Sequence, residues 1–352
     1  MARLLTILVL FGLLTLAVSG QSGRVKKKPD SEKESAEDRY VPTQNLDPGP
    51  TPTPKELLPP PPPPSDGEVI NIESNLVPIP VSVVDRTTGT AVGGLRIPDF
   101  ELKVDGKTVV IDDLYKSESP VRLALLFDNS SSVTVAREFE QTAAIRFFRR
   151  VIRPEVDLAS LFSVAGVALL EQSMTKEVSR LISAIRNLGE PKGATSLHDA
   201  IVTASNYLQD FDGRRVIVIV SDGQDTLSDY TFDEMVRIVQ QNNCQVYIVH
   251  TNEFENYKRT GRRTGSANLR ALAAERRMQD LAAQTGGEVY SPIDEKELDR
   301  AFAQISVELT TQYILGYYPE AETRDDRFRE IELTVRSDKD LIVRTRKGYY
   351  VR

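Results

Sequence analysis

The sequence predicts an α/β protein: an open, mostly parallel, doubly wound sheet with one antiparallel edge strand, plus a small flanking β-rich layer. Three observations carry this. Near-continuous apolar runs, "VRLALLFD" (121–128), "RRVIVIVSDG" (214–223) and "CQVYIVH" (244–250), are strands buried on both faces. Stretches of helical periodicity alternate with them, as in a parallel sheet covered by helices on both sides. Shorter alternating runs bounded by turn residues lie before residue 118 and after residue 310.

Residues 1–20 read as a cleavable secretory signal. Arg3 precedes an apolar run, Leu4 to Ala17, and small residues follow at Ser19 and Gly20. That run is short of the roughly 20 residues needed to span a bilayer, so membrane contact is expected only if the segment stays uncleaved. No cysteine follows it, which excludes a bacterial lipid anchor there. Residues 21–66 hold 12 of the 20 prolines and end in the unbroken Pro59–Pro64. Proline fixes φ and has no amide hydrogen, so this stretch predicts an extended, disordered tether.

Residues 67–118 form a small β-rich segment. "LVPIPVSVVD" alternates, and Pro78 and Pro80 push that strand toward a sheet edge. Asp105-Gly106 marks a hairpin between two further strands. The α/β domain is expected over 119–309. After the first buried strand comes a helix, 133–150, with Phe139, Ala143 and Phe147 on one apolar stripe. "ASLFSVAG" and "VALLEQSM" are short strands close enough to pair as a hairpin, which supplies the antiparallel edge. Helices are predicted over 176–188, 196–210, 231–243, 267–284 and 295–309, with a short strand at 287–292. Residues 310–352 return to strands, expected to pair with each other or with residues 69–116 in one β layer.

Composition narrows the function. A formal charge of -7 over 352 residues gives no general pull toward nucleic acid. One cysteine, Cys244, excludes an intrachain disulfide framework and any cysteine-rich metal knuckle; two histidines exclude a three-histidine zinc centre. Export without an internal disulfide points to a secreted or periplasmic, cell-envelope protein of a bacterium.

In an open parallel sheet, ligands bind beyond the C-terminal ends of the strands. Three loops there carry oxygen donors: Asp128-Asn129-Ser130-Ser131-Ser132, Gly193-Ala194-Thr195-Ser196 and Ser221-Asp222-Gly223. Two carboxylates and several hydroxyls suit a small hard cation such as Mg2+, with Mn2+ or Ca2+ as alternatives. Hydroxyls bring no formal charge, so the ion would stay hungry for one more carboxylate. The bland readings are a serine N-cap on the following helix and Asp222 capping its own turn. Asp225 reads as solvated, His198 as packed, and Cys244 as a small buried hydrophobe. His250 ends a strand at the functional edge. "YKRTGRRTGSANLR" reads as an exposed mobile loop or an electropositive rim, and the late tyrosines as core or cross-strand contacts.

Asp128-x-Ser130-x-Ser132, then Thr195, then Asp222-Gly223, resembles the metal-ion-dependent adhesion site of von Willebrand factor type A domains, with a Rossmann-like fold. The resemblance covers about residues 120–305. It implies that Ser130, Ser132 and Thr195 coordinate the ion directly and that Asp128 and Asp222 act mainly through water. A glutamate or aspartate of a protein partner would complete the shell. The flanks, "VVDRTTGTAVGGLRIPDFELKVDGK" and "TQYILGYYP", resemble exported von Willebrand A-related proteins of acidobacteria. The reading is therefore a non-enzymatic, metal-dependent adhesion module. A magnesium-dependent phosphatase using Asp128 as nucleophile is the enzymatic alternative. It lacks a second acid at Ser130, and no lysine is expected near the loops to hold phosphate charge. A structural envelope component with a stabilising ion is the third reading.

Overall fold

The computed structural model describes residues 76–131, 137–262, 269–319 and 327–351. The signal-like segment and the proline-rich stretch lie outside these. All described residues fall within one compact unit, Ile70–Arg352, and no helix among them is long and apolar enough to cross a membrane.

The central sheet has six strands: β5 (Val121–Asp128), β6 (Leu158–Val164), β7 (Ala168–Thr175), β8 (Arg214–Ser221), β9 (Cys244–His250) and β10 (Val289–Tyr290). Their spatial order is β10-β9-β8-β5-β6-β7. All neighbours run parallel except β6 and β7, the antiparallel hairpin at one edge. Among the described residues seven helices accompany it: α1 (Arg137–Val151), α2 (Val178–Arg186), α3 (Leu197–Leu208), α4 (Phe232–Gln241), α5 (Asn252–Thr260), α6 (Leu269–Thr285) and α7 (Glu295–Thr310).

Strand periodicity sorts the apolar residues between two cores. Leu123, Leu125 and Phe127 of β5 face α1, α2 and α7, where Phe147, Leu181 and Phe302 are buried. Ala124 and Leu126 face the opposite layer, with Ile201, Met235 and Leu281 of α3, α4 and α6. Both faces are covered, which is why the middles of these strands are continuously apolar.

The flanks form two four-stranded antiparallel sheets rather than the single layer expected. Their strands are β1 (Val77–Asp85), β2 (Phe100–Val104), β3 (Lys107–Val109), β4 (Asp113–Lys116), β11 (Tyr313–Tyr317), β12 (Phe328–Val335), β13 (Leu341–Thr345) and β14 (Gly348–Tyr350). One sheet has the order β13-β1-β11-β4 and the other β14-β12-β2-β3. They share a third core, with Ile79, Val81 and Val83 from β1 against Phe100, Leu102 and Ile331. Segments far apart in sequence do pair, as expected.

β1 is not an edge strand. Its first half, Val77 to Val81, pairs with β11, and its second half, Val81 to Asp85, pairs with β13. Pro78 and Pro80 sit where only the β11 side has a ladder partner, so their missing N–H groups interrupt nothing.

Candidate metal centre

Parallel register builds the site. Phe127 of β5 sits beside Val220 of β8, so the next residues, Asp128 and Ser221, end neighbouring strands together. The Ser221 hydroxyl donates to Asp128 Oδ2 at 2.6 Å, and the Ser130 N–H donates to Oδ1 at 2.9 Å. Both carboxylate oxygens are thereby held before any ligand arrives. Asp222 follows Ser221 and accepts from the Gln224 backbone and side-chain nitrogens, both at 3.0 Å. The turn-capping role considered for Asp222 is therefore real. His250, at the end of β9, fixes the Asp222 backbone from behind through Nε2 to the Asp222 carbonyl at 2.8 Å. Gly223 has φ +75, a conformation that favours glycine, and a Cβ there would also crowd Met278 Cγ at 3.0 Å.

The second loop is joined to both others. Lys192 N donates to Asn129 O at 3.0 Å, and Ser131 donates to Gly193 O through its hydroxyl at 3.2 Å. Arg137 of α1 binds the Leu188 and Gly189 carbonyls and the Asn129 side chain, tying the first loop to the second again. On the other side, Thr226 N donates to Thr195 O at 2.9 Å and the Thr226 hydroxyl accepts from Thr195 N at 3.0 Å. Asp225 is not simply solvated. Its Oδ1 accepts from Leu197 N at 2.7 Å and His198 N at 3.2 Å, capping the start of α3 from the third loop. Asp128, Ser130, Thr195 and Asp222 are all buried, on three loops bonded to one another. Ser132 lies outside the described residues.

The charge at this edge is negative and uncompensated. Among the described residues no lysine or arginine forms an ion pair with Asp128 or Asp222. Burial, and then the Asp222 charge, push the Asp128 carboxyl up to about 6, against the opposing hydrogen bonds from Ser221 and Ser130. A third acid, which the sequence reading missed, belongs to this field. Glu140 of α1 is fully buried, and its Oε1 has no hydrogen-bond partner. Burial, then Glu255, Asp128 and Asp222, hold its carboxyl well above the usual range. The signal was present: Glu140 shares the i, i+3, i+4, i+7 stripe with Ala143, Ala144 and Phe147. Phe139, placed on the buried stripe by sequence, is only partly buried.

The donors are oxygens alone, and two nearby carboxylates repel. That set fits a hard divalent cation, whose charge would relieve the repulsion. Among the described residues no three His, Cys, Asp or Glu side chains group to hold a metal, so hydroxyls would have to share the coordination. His198 is packed as expected, edge-on to Phe232 with Nδ1 3.1 Å from the Tyr230 carbonyl. Cys244 is buried at the far end of β9. The basic stretch is partly ordered helix: α5 runs to Thr260 and ends at Gly261 in the left-handed region. Residues 263–268 lie outside the described set. The expectation of no nearby lysine fails, since Lys192 borders the second loop; its side chain is exposed.

Residues 123–224 match the sequence family described as the von Willebrand factor type A domain. The mixed six-stranded sheet with helices on both faces has the Rossmann-like architecture of that family, and two antiparallel sheets flank it. No curated protein matches the chain. Among solved structures, the PilB minor pilin from Streptococcus sanguinis is similar at 12% identity and TM-score 0.41, over 55% of this chain and 62% of that one. This chain thus spans less than two thirds of that pilin. An aerotolerance-related membrane protein from Bacteroides fragilis is similar at 19% identity and TM-score 0.41, over 54% of this chain and 98% of that one. The pilus adhesin SpaC from Lactobacillus rhamnosus GG gives 9% identity and TM-score 0.43, over 73% and 48%.

Proposed function

We propose that this protein is an exported bacterial binding module, not an enzyme, that uses a divalent cation to capture a carboxylate on a protein partner. Asp128, Ser130, Ser132, Thr195 and Asp222 would hold the ion, with Mg2+ as the first candidate and Mn2+ or Ca2+ as alternatives. When bound, the ion supplies an electrophilic seat for one further anionic oxygen. The chain's own residues do the rest. Ser221 and the Ser130 amide orient Asp128, His250 positions the Asp222 backbone, and Thr226 orients the Thr195 backbone. The signal-like segment supports a secreted or envelope location, and the flank resemblance supports an acidobacterial type of origin.

One observation carries the reading: two buried carboxylates without a cationic side chain stand on three loops that are hydrogen-bonded to each other. A structure meant only to be stable would gain by replacing one of those acids. Both oxygens of Asp128 are already engaged within the protein, which does not favour a nucleophile. Partner capture and aryl-phosphate turnover, each with magnesium and with chelator, test the proposal. Chelator-sensitive capture without turnover, lost in T195A, is expected. Metal-dependent turnover lost in D128A would replace it with the phosphatase, and a metal-dependent melting shift without any partner would leave a structural ion.

A further inference from the structure

A cavity of about 480 Å³ lies at the opposite end of the central sheet from the three loops, where β8 and β9 begin. It is bounded by the starts of β8 and β9, the ends of α4 and α6, and β1 and β11 of the flanking sheet. Arg214, Arg215 and Arg346 line it, and no aspartate or glutamate does.

These arginines have partial structural employment. Arg214 Nη1 donates to Leu309 O at 2.8 Å, near the end of α7. Arg215 donates to Asn242 O at 3.1 Å and Gln209 O at 3.2 Å, just past the ends of α4 and α3. Arg346 donates to Asn243 Oδ1 at 2.7 Å and Pro78 O at 2.9 Å. Every acceptor is a neutral oxygen. The ends of helices offer only about half a negative charge each, so they offset three full charges in part. A buried nitrogen on each guanidinium, Arg214 Nη2, Arg215 Nε and Arg346 Nε, has no acceptor at all. Burial brings the Arg346 guanidinium down to about 10 and lowers Arg214 as well, there against the opposing pull of Tyr247 and Asp157.

From this geometry we infer that the cavity is a binding site for a small organic anion, a carboxylate or phosphate monoester with a compact apolar body. Three guanidiniums offer charge-assisted donors matched to an oxyanion. Tyr115, Pro78, Pro80 and Ile314 supply the apolar remainder of the wall. The volume falls in the ordinary range for small-molecule sites. The site is independent of the cation centre and stands whether or not that proposal does.

The test uses the whole protein in chelator, so that the cation centre cannot contribute. Benzoate, phenyl phosphate and uncharged benzyl alcohol are titrated by calorimetry, and arginine Nε–H resonances are followed in parallel. Saturable binding of at least one anion and none of the alcohol is expected, with the two anions telling a carboxylate site from a phosphate site. R215Q and R346Q should each weaken the anion about tenfold, R346K less, and D128A not at all. Failure of both anions to bind, equal binding of benzyl alcohol, or undiminished binding by R215Q and R346Q proteins that melt normally would overturn the inference. If the variants do not fold, the comparison of anion with alcohol on the native chain decides it.

Discussion

At the scale of residues, the Asp128 carboxylate is held at a cost in stability. Burial, and then the Asp222 charge, push its carboxyl from the ordinary 3.8 up to about 6. A raised folded value means that the folded protein holds the proton more tightly than the unfolded chain does. The stabilising contribution is therefore complete below about pH 4 and is lost as pH rises through about 6. Metal-free protein should lose about 1 kcal/mol from this group between pH 5 and pH 7. Asp128→Asn should stabilise the metal-free protein at pH 7 by about 1 to 3 kcal/mol, since Ser221 can rotate its hydroxyl to accept from the new amide. Urea melts in chelator at the two pH values check both statements. A wild type more stable than the asparagine variant at pH 7 would contradict them. Asp128 is legible in the sequence because it ends an apolar run, whereas Glu140 is one charge among many on its helix, set apart only by its place on the apolar stripe.

At the scale of elements, β5 carries Asp128 at one end and is anchored at the other. Asp157, at the mouth of β6, accepts from Val121 N at 2.8 Å, from Arg153 N at 2.9 Å, and from Arg153 Nε and Nη2 at 2.8 Å each. Its side chain is 1% exposed, so each bond replaces one that water could have made. Asp157→Ala strands the Val121 amide and the guanidinium and should cost about 3 kcal/mol. A shift of the urea midpoint with unchanged slope measures it, and a loss within 0.5 kcal/mol would show that the bracket is ornamental. The buried strands and long helices could be read from the sequence because burial writes a period into it. α5 could not: "NEFENYKRT" is mostly polar and buries only Phe254, so it has almost no apolar stripe to detect. The edge assignment of β1 failed for a different reason. Proline reports the absence of a partner at its own N–H, and a strand can change partners halfway along.

At the scale of the whole molecule, the flanks are fastened to the α/β layer by a buried polar network. Arg344 of β13 donates to Glu308 of α7 at 2.6 Å and to Glu288 at 2.7 Å, and Glu308 also accepts from Tyr290 at 2.8 Å and Tyr247 at 3.2 Å. Arg344→Ala leaves a buried carboxylate without its cation and should cost about 3 to 5 kcal/mol. Arg86→Ala, in a pair exposed at 60% and 66%, should cost less than about 1 kcal/mol. Paired thermal melts separate the two, and equal losses would mean that the network does not join the layers. Sequence patterns showed which flanking segments were strands but not that they close into two sheets, since pairing depends on partners more than 200 residues apart. All of this scaffolding serves three loops at one sheet edge, and direct cation binding is the measurement that bears on them most closely. Calorimetric titration of Mg2+ into the intact protein at pH 7 should give one site per chain, weakened at least about tenfold by D222A and by T195A alike. Heat of binding that is absent, or that survives both substitutions unchanged, would contradict the assignment of those loops to one ion.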